Sequence, residues 1–381
     1  MPEHLCRFLK TRIKTGQPIL IKNNKKGEKT TMKKKFLAAM MAAIMGLSLV
    51  ACGGGSKETA GDASGNASGE TLKIGLVTDL GGVEDQSFNQ SAWEGLKRAK
   101  EELGVEVNYL SSGSDSDYAP NLETFVDEDC DLIIGVGYQL ADALKAAAEE
   151  NPDIKFAIID DSSCADMSNV TCLLFKQEQA SYLVGYVAGL MTEKDNIGIV
   201  LGMASANMNL FGYGYCAGAY DANPNITIQQ GNANNFGDPA MGSTLTTNFV
   251  TNGADIVFHA AGATGTGVIA EAQAKGIKAI GVDSDQSYLA PETVITSAMK
   301  RVDNAVFDTV SKLVEGKLEA GISEYDITNG GVDIAPTTDL LPEDVIAAVN
   351  EIKEKLAAGE IVVPNSKETY DAAYGDTYQL D

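Results

Sequence analysis

Short apolar runs at residues 72–77, 132–136, 156–159, 170–175, 197–201, 256–258, 277–282 and 294–295 are rich in Ile and Val and do not alternate with polar residues. That is the pattern of strands buried on both faces of a parallel sheet. Between them, mixed apolar and polar periodicity predicts helices over 88–103, 141–150, 180–191, 241–250, 268–275 and 304–314. End signals agree: Ser87 with Gln90 resembles a capping box, Asp238 precedes Pro239, and Gly104, Gly253, Gly276 and Gly316 stand where helices should stop. Strand followed by helix, repeated this often, predicts doubly wound α/β lobes, with one boundary near Lys176 where a second series begins.

In open α/β sheets, ligands bind beyond the carboxyl ends of the strands. The residues standing there are small or acidic: Thr78-Asp79, Gly137, Asp160-Asp161, Gly202, Ala260-Ala261-Gly262 and Asp283. Any one of them is an ordinary turn residue, but together they outline a polar crevice into which backbone and carboxylates could reach.

The N-terminal stretch belongs to another class of segment. Lys33-Lys34-Lys35, an apolar run over 36–50 and Ala51-Cys52 form a basic n-region, an h-region and a small residue before a cut, the signature of a secretory signal. Its Leu49-Val50-Ala51-Cys52 ending resembles a bacterial lipoprotein signal, with Cys52 the lipidated first residue. The apolar run is too short for an ordinary membrane span. Residues 1–31 show no pattern and read as a possible upstream extension, 32–51 as the signal, and 52–70, rich in Gly, Ser and Ala, as a flexible tether.

Charge sharpens the division. Residues 1–51 hold 11 of the 29 Lys and Arg but only 2 of the 53 Asp and Glu, so from Cys52 onward 51 carboxylates face 18 cations, a net charge of -33. So acidic a body repels phosphate backbones and excludes nucleic acid as a partner. Chemistry for turnover is scarce as well. His259 is the one histidine after Cys52, no G-x-S-x-G motif is present, and the Gly-rich 262–267 segment has no Lys. Neither a catalytic residue, a cofactor nor a metal site is expected. Of Cys130, Cys164, Cys172 and Cys216 none forms a CxxC pair; Cys164 and Cys172 could be bridged or could be buried thiols.

Several motifs in order carry a resemblance: Val77-Thr78-Asp79-Leu80-Gly81-Gly82, Asp85-Gln86-Ser87-Phe88-Asn89-Gln90, Gly135-Val136-Gly137-Tyr138, Phe156-Ala157-Ile158-Ile159-Asp160, Ala260-Ala261-Gly262-Ala263-Thr264-Gly265, Gly281-Val282-Asp283-Ser284-Asp285-Gln286 and Lys300-Arg301-Val302-Asp303. The series resembles the basic membrane protein family of ABC-transporter solute-binding lipoproteins, the purine nucleoside receptor type. The resemblance implies a type I periplasmic-binding fold: two lobes, residues 71–176 with about 298–330 and 177–297 with about 331–370, joined by three crossing strands. It also implies a monomer, lipid-anchored on the extracytoplasmic face, that captures a nucleoside and passes it to an ABC permease and ATPase. Carried over by position, Phe88 and Phe258 would sandwich the base, Asp79, Asn89 and Asp160 would bond its edges, and Asp283, Lys300 and the Gly262 backbone would hold the ribose. The same resemblance makes Asp85 structural and leaves Asp161 competing with Asp160. A sugar or small signalling molecule is the alternative ligand, one that would not need two Phe rings.

Overall fold

The structure is a computed structural model in which residues 71–380 are described. The expected signal, Cys52 and the tether lie outside the described residues. Two six-stranded sheets organise the chain. The first contains β1 (Lys73–Val77), β2 (Glu106–Leu110), β3 (Leu132–Val136), β4 (Lys155–Ile159), β5 (Val170–Phe175) and β11 (Gly321–Tyr325), in the order β11-β5-β4-β3-β1-β2. Every pairing in it is parallel. The second holds β6 (Asn196–Leu201), β7 (Thr227–Asn232), β8 (Ile256–Ala260), β9 (Lys278–Asp283), β10 (Val294–Lys300) and β12 (Val332–Ile334), ordered β12-β10-β9-β8-β6-β7. It is parallel except for the β10–β12 pair.

Each predicted apolar run becomes a central strand, and β3 and β8 are buried along their whole length. Helices cover the sheets: α1 (Phe88–Leu103), α2 (Tyr118–Asp127), α3 (Ala141–Glu150) and α8 (Val302–Val314) on the first, and α4 (Gln177–Met191), α5 (Ala206–Ala222), α6 (Pro239–Thr251), α7 (Thr264–Lys275), α9 (Glu343–Ala357) and α10 (Lys367–Tyr374) on the second. Helix α8 follows a strand of the second sheet yet lies on α1 of the first, where Gly95 admits the backbone: a Cβ there would stand 2.5 Å from the Asp303 carbonyl.

The chain passes between the lobes three times, after β5, after β10 and after β11. The crossings are tied together by Lys176 N–H to the Tyr325 carbonyl (2.9 Å) and Arg301 N–H to the Gly331 carbonyl (2.9 Å). Lys176 also pairs with Glu324 at 3.0 Å across this bundle.

One expected cap is corrected. Ser87 makes no side-chain cap bond to α1; the buried Asp85 carboxylate does so instead, accepting the N–H groups of Ser87 (2.9 Å), Asn89 (2.9 Å) and Gln90 (3.0 Å). Asp238 caps α6 at Met241 N–H as expected, with Pro239 in the first turn. Cys130, Cys164, Cys172 and Cys216 are buried free thiols, with no disulfide between Cys164 and Cys172.

Candidate functional site

The carboxyl ends of β1, β3 and β4 in one lobe face those of β8, β9 and β10 in the other across a narrow cleft. Of the residues expected there, Asp79, Phe88, Asn89, Asp160, Gly262, Asp283 and Lys300 line it; Tyr138 and Gln139, in the turn before α3, line it too.

Phe258 does not. Its neighbours along β8 alternate between faces, and Phe258 points with Ile256 and Ala260 into the core under α4 and α5. There its ring lies 4.9 Å from that of Tyr215, with no exposed surface. The aromatic residues that the second lobe brings to the cleft are Phe211, in α5, and Phe236, in the loop after β7. Residue order alone hid them: Phe211 lies in a Gly-rich segment with no expected helix, and Phe236 in a turn-like Asn-Asn-Phe-Gly-Asp stretch.

Lys300 sits at the centre. Its ammonium lies 4.9 Å from the centroid of the Phe88 ring and 5.5 Å from that of Phe211, on opposite lobes, and is ion-paired with Asp160. The Lys300 and Asp160 side chains are only 2% and 6% exposed, so each relieves the burial of the other. The second oxygen of Asp160 has no hydrogen-bond partner among the described residues and stands free for a donor on a guest.

Asp79 is held by its own lobe, its Oδ1 accepting Gly81 N–H (2.9 Å) and Asn89 Nδ2 (2.7 Å). Asn89 Nδ2 also donates to Asp85 at 2.9 Å, and its Oδ1 accepts Asp79 N–H at 3.3 Å. The Asn89 amide is therefore spent on fixing two carboxylates, rather than offered to a ligand. Asp161 faces away and caps its own turn at Ser163 N–H, 2.7 Å distant. Trp93 is half-buried outside the cleft, its ring 4.8 Å from Tyr109.

Burial, the dominant effect, pushes the Asp79 carboxyl up to about 6 and that of Asp283 up to about 7. Asp283 accepts a hydrogen bond from Ser87 Oγ of the opposite lobe. With four lining carboxylates, Asp79, Asp85, Asp160 and Asp283, and one ammonium, the cleft suits a neutral guest rich in O–H and N–H donors and disfavours an anion.

Gly262, with φ 55°, turns the chain from β8 into α7, and a Cβ there would come 3.2 Å from the Phe236 carbonyl. His259 is wholly buried and bonds Gln286 through Nε2 at 3.0 Å. Burial drives its pKa down to about 4.

Two α/β lobes that meet over a polar, ring-flanked cleft define a solute-binding protein of the periplasmic-binding fold. Residues 72–367 match the family described as ABC transporter substrate-binding protein, PnrA-like, and the chain belongs to that family. It is similar to the CD4+ T-cell-stimulating antigen of Listeria innocua, 38% identical over 87% of this chain and 99% of that protein. The ABC transporter nucleoside-binding protein BmpA of Lactococcus lactis is 35% identical over 88% of this chain and all of its own length. Among solved structures, an ABC transporter solute-binding protein from Aeropyrum pernix is 27% identical with a TM-score of 0.73, over 80% of this chain and 97% of the other. Substrate-binding proteins of ABC transporters work on the extracytoplasmic side, and among the described residues no helix is long and apolar enough to cross a membrane.

Proposed function

We propose that this chain captures a purine nucleoside between residues 71–176 with about 298–330 and residues 177–297 with about 331–370, and hands it to an ABC permease. The observation that carries the proposal is the pair Phe88 and Phe211, one ring from each lobe, beside the buried Lys300–Asp160 pair. A flat base stacked on aromatic faces gains roughly 1–3 kcal/mol per base. The free oxygen of Asp160 and the carboxylate of Asp79 would accept N–H donors of the base, with Asn89 orienting Asp79. Asp283, Lys300 and the backbone at Gly262 would meet the ribose hydroxyls. Phe211 takes the role first expected of Phe258, and Phe236 closes the second lobe's side.

The nucleoside-binding name of the lactococcal relative supports this ligand class, and an overall match through residue 367 supports delivery to a permease. In the cell, Cys52 would carry the lipid anchor and residues 53–70 the tether. Titration calorimetry on protein unfolded, dialysed and refolded to strip any carried ligand tests the proposal. Saturable heat with adenosine, guanosine or inosine and none with the 5′-monophosphates is expected; no heat with any ribonucleoside removes it.

A further inference from the structure

Gln286 joins the two lobes without lining the cleft, and its fully buried side chain has every polar atom committed. The β8–β9 ladder ends at the Phe258/Ile280 pair. Beyond it, Val282 N–H donates to Gln286 Oε1 at 2.9 Å. A backbone N–H can only donate, so this bond decides which end of the amide is oxygen. His259 Nε2, 3.0 Å from the same oxygen, must then carry the imidazole proton. Its Nδ1 has no hydrogen-bond partner among the described residues and is roofed by α7, since a Cβ on Gly265 would fall 2.0 Å from it.

What remains of the amide points across the interface: Gln286 Nε2 donates to the Gln86 carbonyl of the first lobe at 2.9 Å. The rest of the residue is fixed as firmly. Gln286 N–H donates to Ser297 Oγ at 3.1 Å, and a Cβ on Gly281 would lie 2.7 Å from Oε1, so only glycine leaves room for the folded-back side chain. On the receiving side, Gln86 holds a left-handed φ of 57°, which turns its carbonyl toward the second lobe.

We infer that Gln286 sets lobe closure: its amide, aimed by Val282 and His259, grips the Gln86 carbonyl and stabilises the shut cleft without touching the ligand. The inference rests on the two-lobed capture reading above. A residue that acts only in the shut form holds the ligand in rather than helping it enter, so its loss shows in the off-rate.

The test uses dyes on one exposed helix position of each lobe, read by energy transfer, with stopped-flow binding of adenosine and inosine. Gln286→Glu keeps the acceptor for Val282 and His259 but sets a carboxylate oxygen against the Gln86 carbonyl. Gln286→Met keeps the volume and removes all three side-chain bonds. The expected result is a wider mean lobe separation in both variants, with off-rates raised roughly three- to tenfold and on-rates unchanged. A fold defect would instead lower the active fraction and leave the off-rate of the remainder alone. Lobe separations equal to wild type in both variants, with and without nucleoside, overturn the inference. Should wild type bind neither nucleoside, the ligand proposal fails, and the separations without ligand still decide this one: wider variants support it and equal ones overturn it.

Discussion

Asp160, just after β4, and Asp283, the last residue of β9, stand in the left-handed region, with φ of 68° and 64°. For residues other than glycine such backbone costs on the order of 1–3 kcal/mol, and Asp and Asn bear it best. The chain bears it here because the turn swings each carboxylate from the sheet toward the gap between the lobes. Burial then raises Asp79 to about 6 and Asp283 to about 7, above the ordinary 3.8. The folded, empty protein therefore holds protons that the unfolded chain gives up. The stability this contributes is complete below pH about 4 and is lost as pH rises through 6 and 7. Binding should run the other way, because hydroxyl and N–H donors need ionised acceptors. Nucleoside affinity is expected to climb between pH 5.5 and 7.5, by up to about tenfold per pH unit for each proton released, while the melting temperature of the empty protein falls over the same range. Calorimetry in buffers of different ionisation heat counts the protons. Asp283→Asn should remove the upper part of the rise, and an affinity flat from pH 5.5 to 7.5 would exclude titration of these acids in binding.

At the scale of the element, helices α4 and α5 meet backbone to backbone. A Cβ on Gly214 would sit 2.2 Å from the Glu178 carbonyl, on Gly218 2.0 Å from that of Tyr182, and on Gly185 2.1 Å from that of Tyr215. Gly218→Ala cannot be absorbed by a flexible side chain, and overpacking of this kind costs about 1–3 kcal/mol. A melting temperature lowered by several degrees is expected, and an unchanged one would show that the helices separate freely. The same packing explains what was illegible in the sequence. Asn-Met-Asn-Leu-Phe-Gly-Tyr-Gly-Tyr reads as a broken, turn-rich stretch, because its glycines serve packing partners outside it: Gly214 the α4 backbone and Gly212 the Tyr378 ring. Strands β2 and β7 went unread because they are edge strands with half-exposed, polar sequences. The buried central strands were plain, and so were the acids at their ends, since both follow from local order. Phe258 shows the limit: an aromatic residue near a strand end gives no sign of which face it takes, and one step in register decides it. Phe258→Ala should destabilise the fold by about 3–5 kcal/mol. Phe211→Ala, 3% exposed and also packed in the core, is expected to cost affinity beyond any loss of stability. Chemical denaturation beside nucleoside titration separates the two effects, and equal affinities in Phe211→Ala and wild type would take that ring out of the site.

For the molecule as a whole, the decisive element is the place where Lys300 leaves β10 of the second sheet and enters the crossing to α8 of the first. Asp160, its partner, directly follows β4 of the first sheet, so one ion pair links the two lobes beside their hinge. Both side chains are nearly sealed from water, and the pair faces a second acid, Asp283, whose charge Lys300 also offsets. Such a pair adds little net stability, yet removing one partner leaves the other buried and uncompensated, at a cost of about 3–5 kcal/mol. Lys300→Met is therefore expected to lower stability by that amount at pH 7.5 and by less at pH 5, where Asp283, raised by burial to about 7, is protonated and needs no cation. Asp160→Asn in the same chain should restore much of the loss, because the amide needs no cation. Nucleoside binding should stay weak in both, since neither the ammonium nor the free Asp160 carboxylate oxygen returns with the fold. Denaturant unfolding of the two single variants and the double variant gives the coupling directly. Additive losses would mean that the two residues do not act as one unit across the hinge.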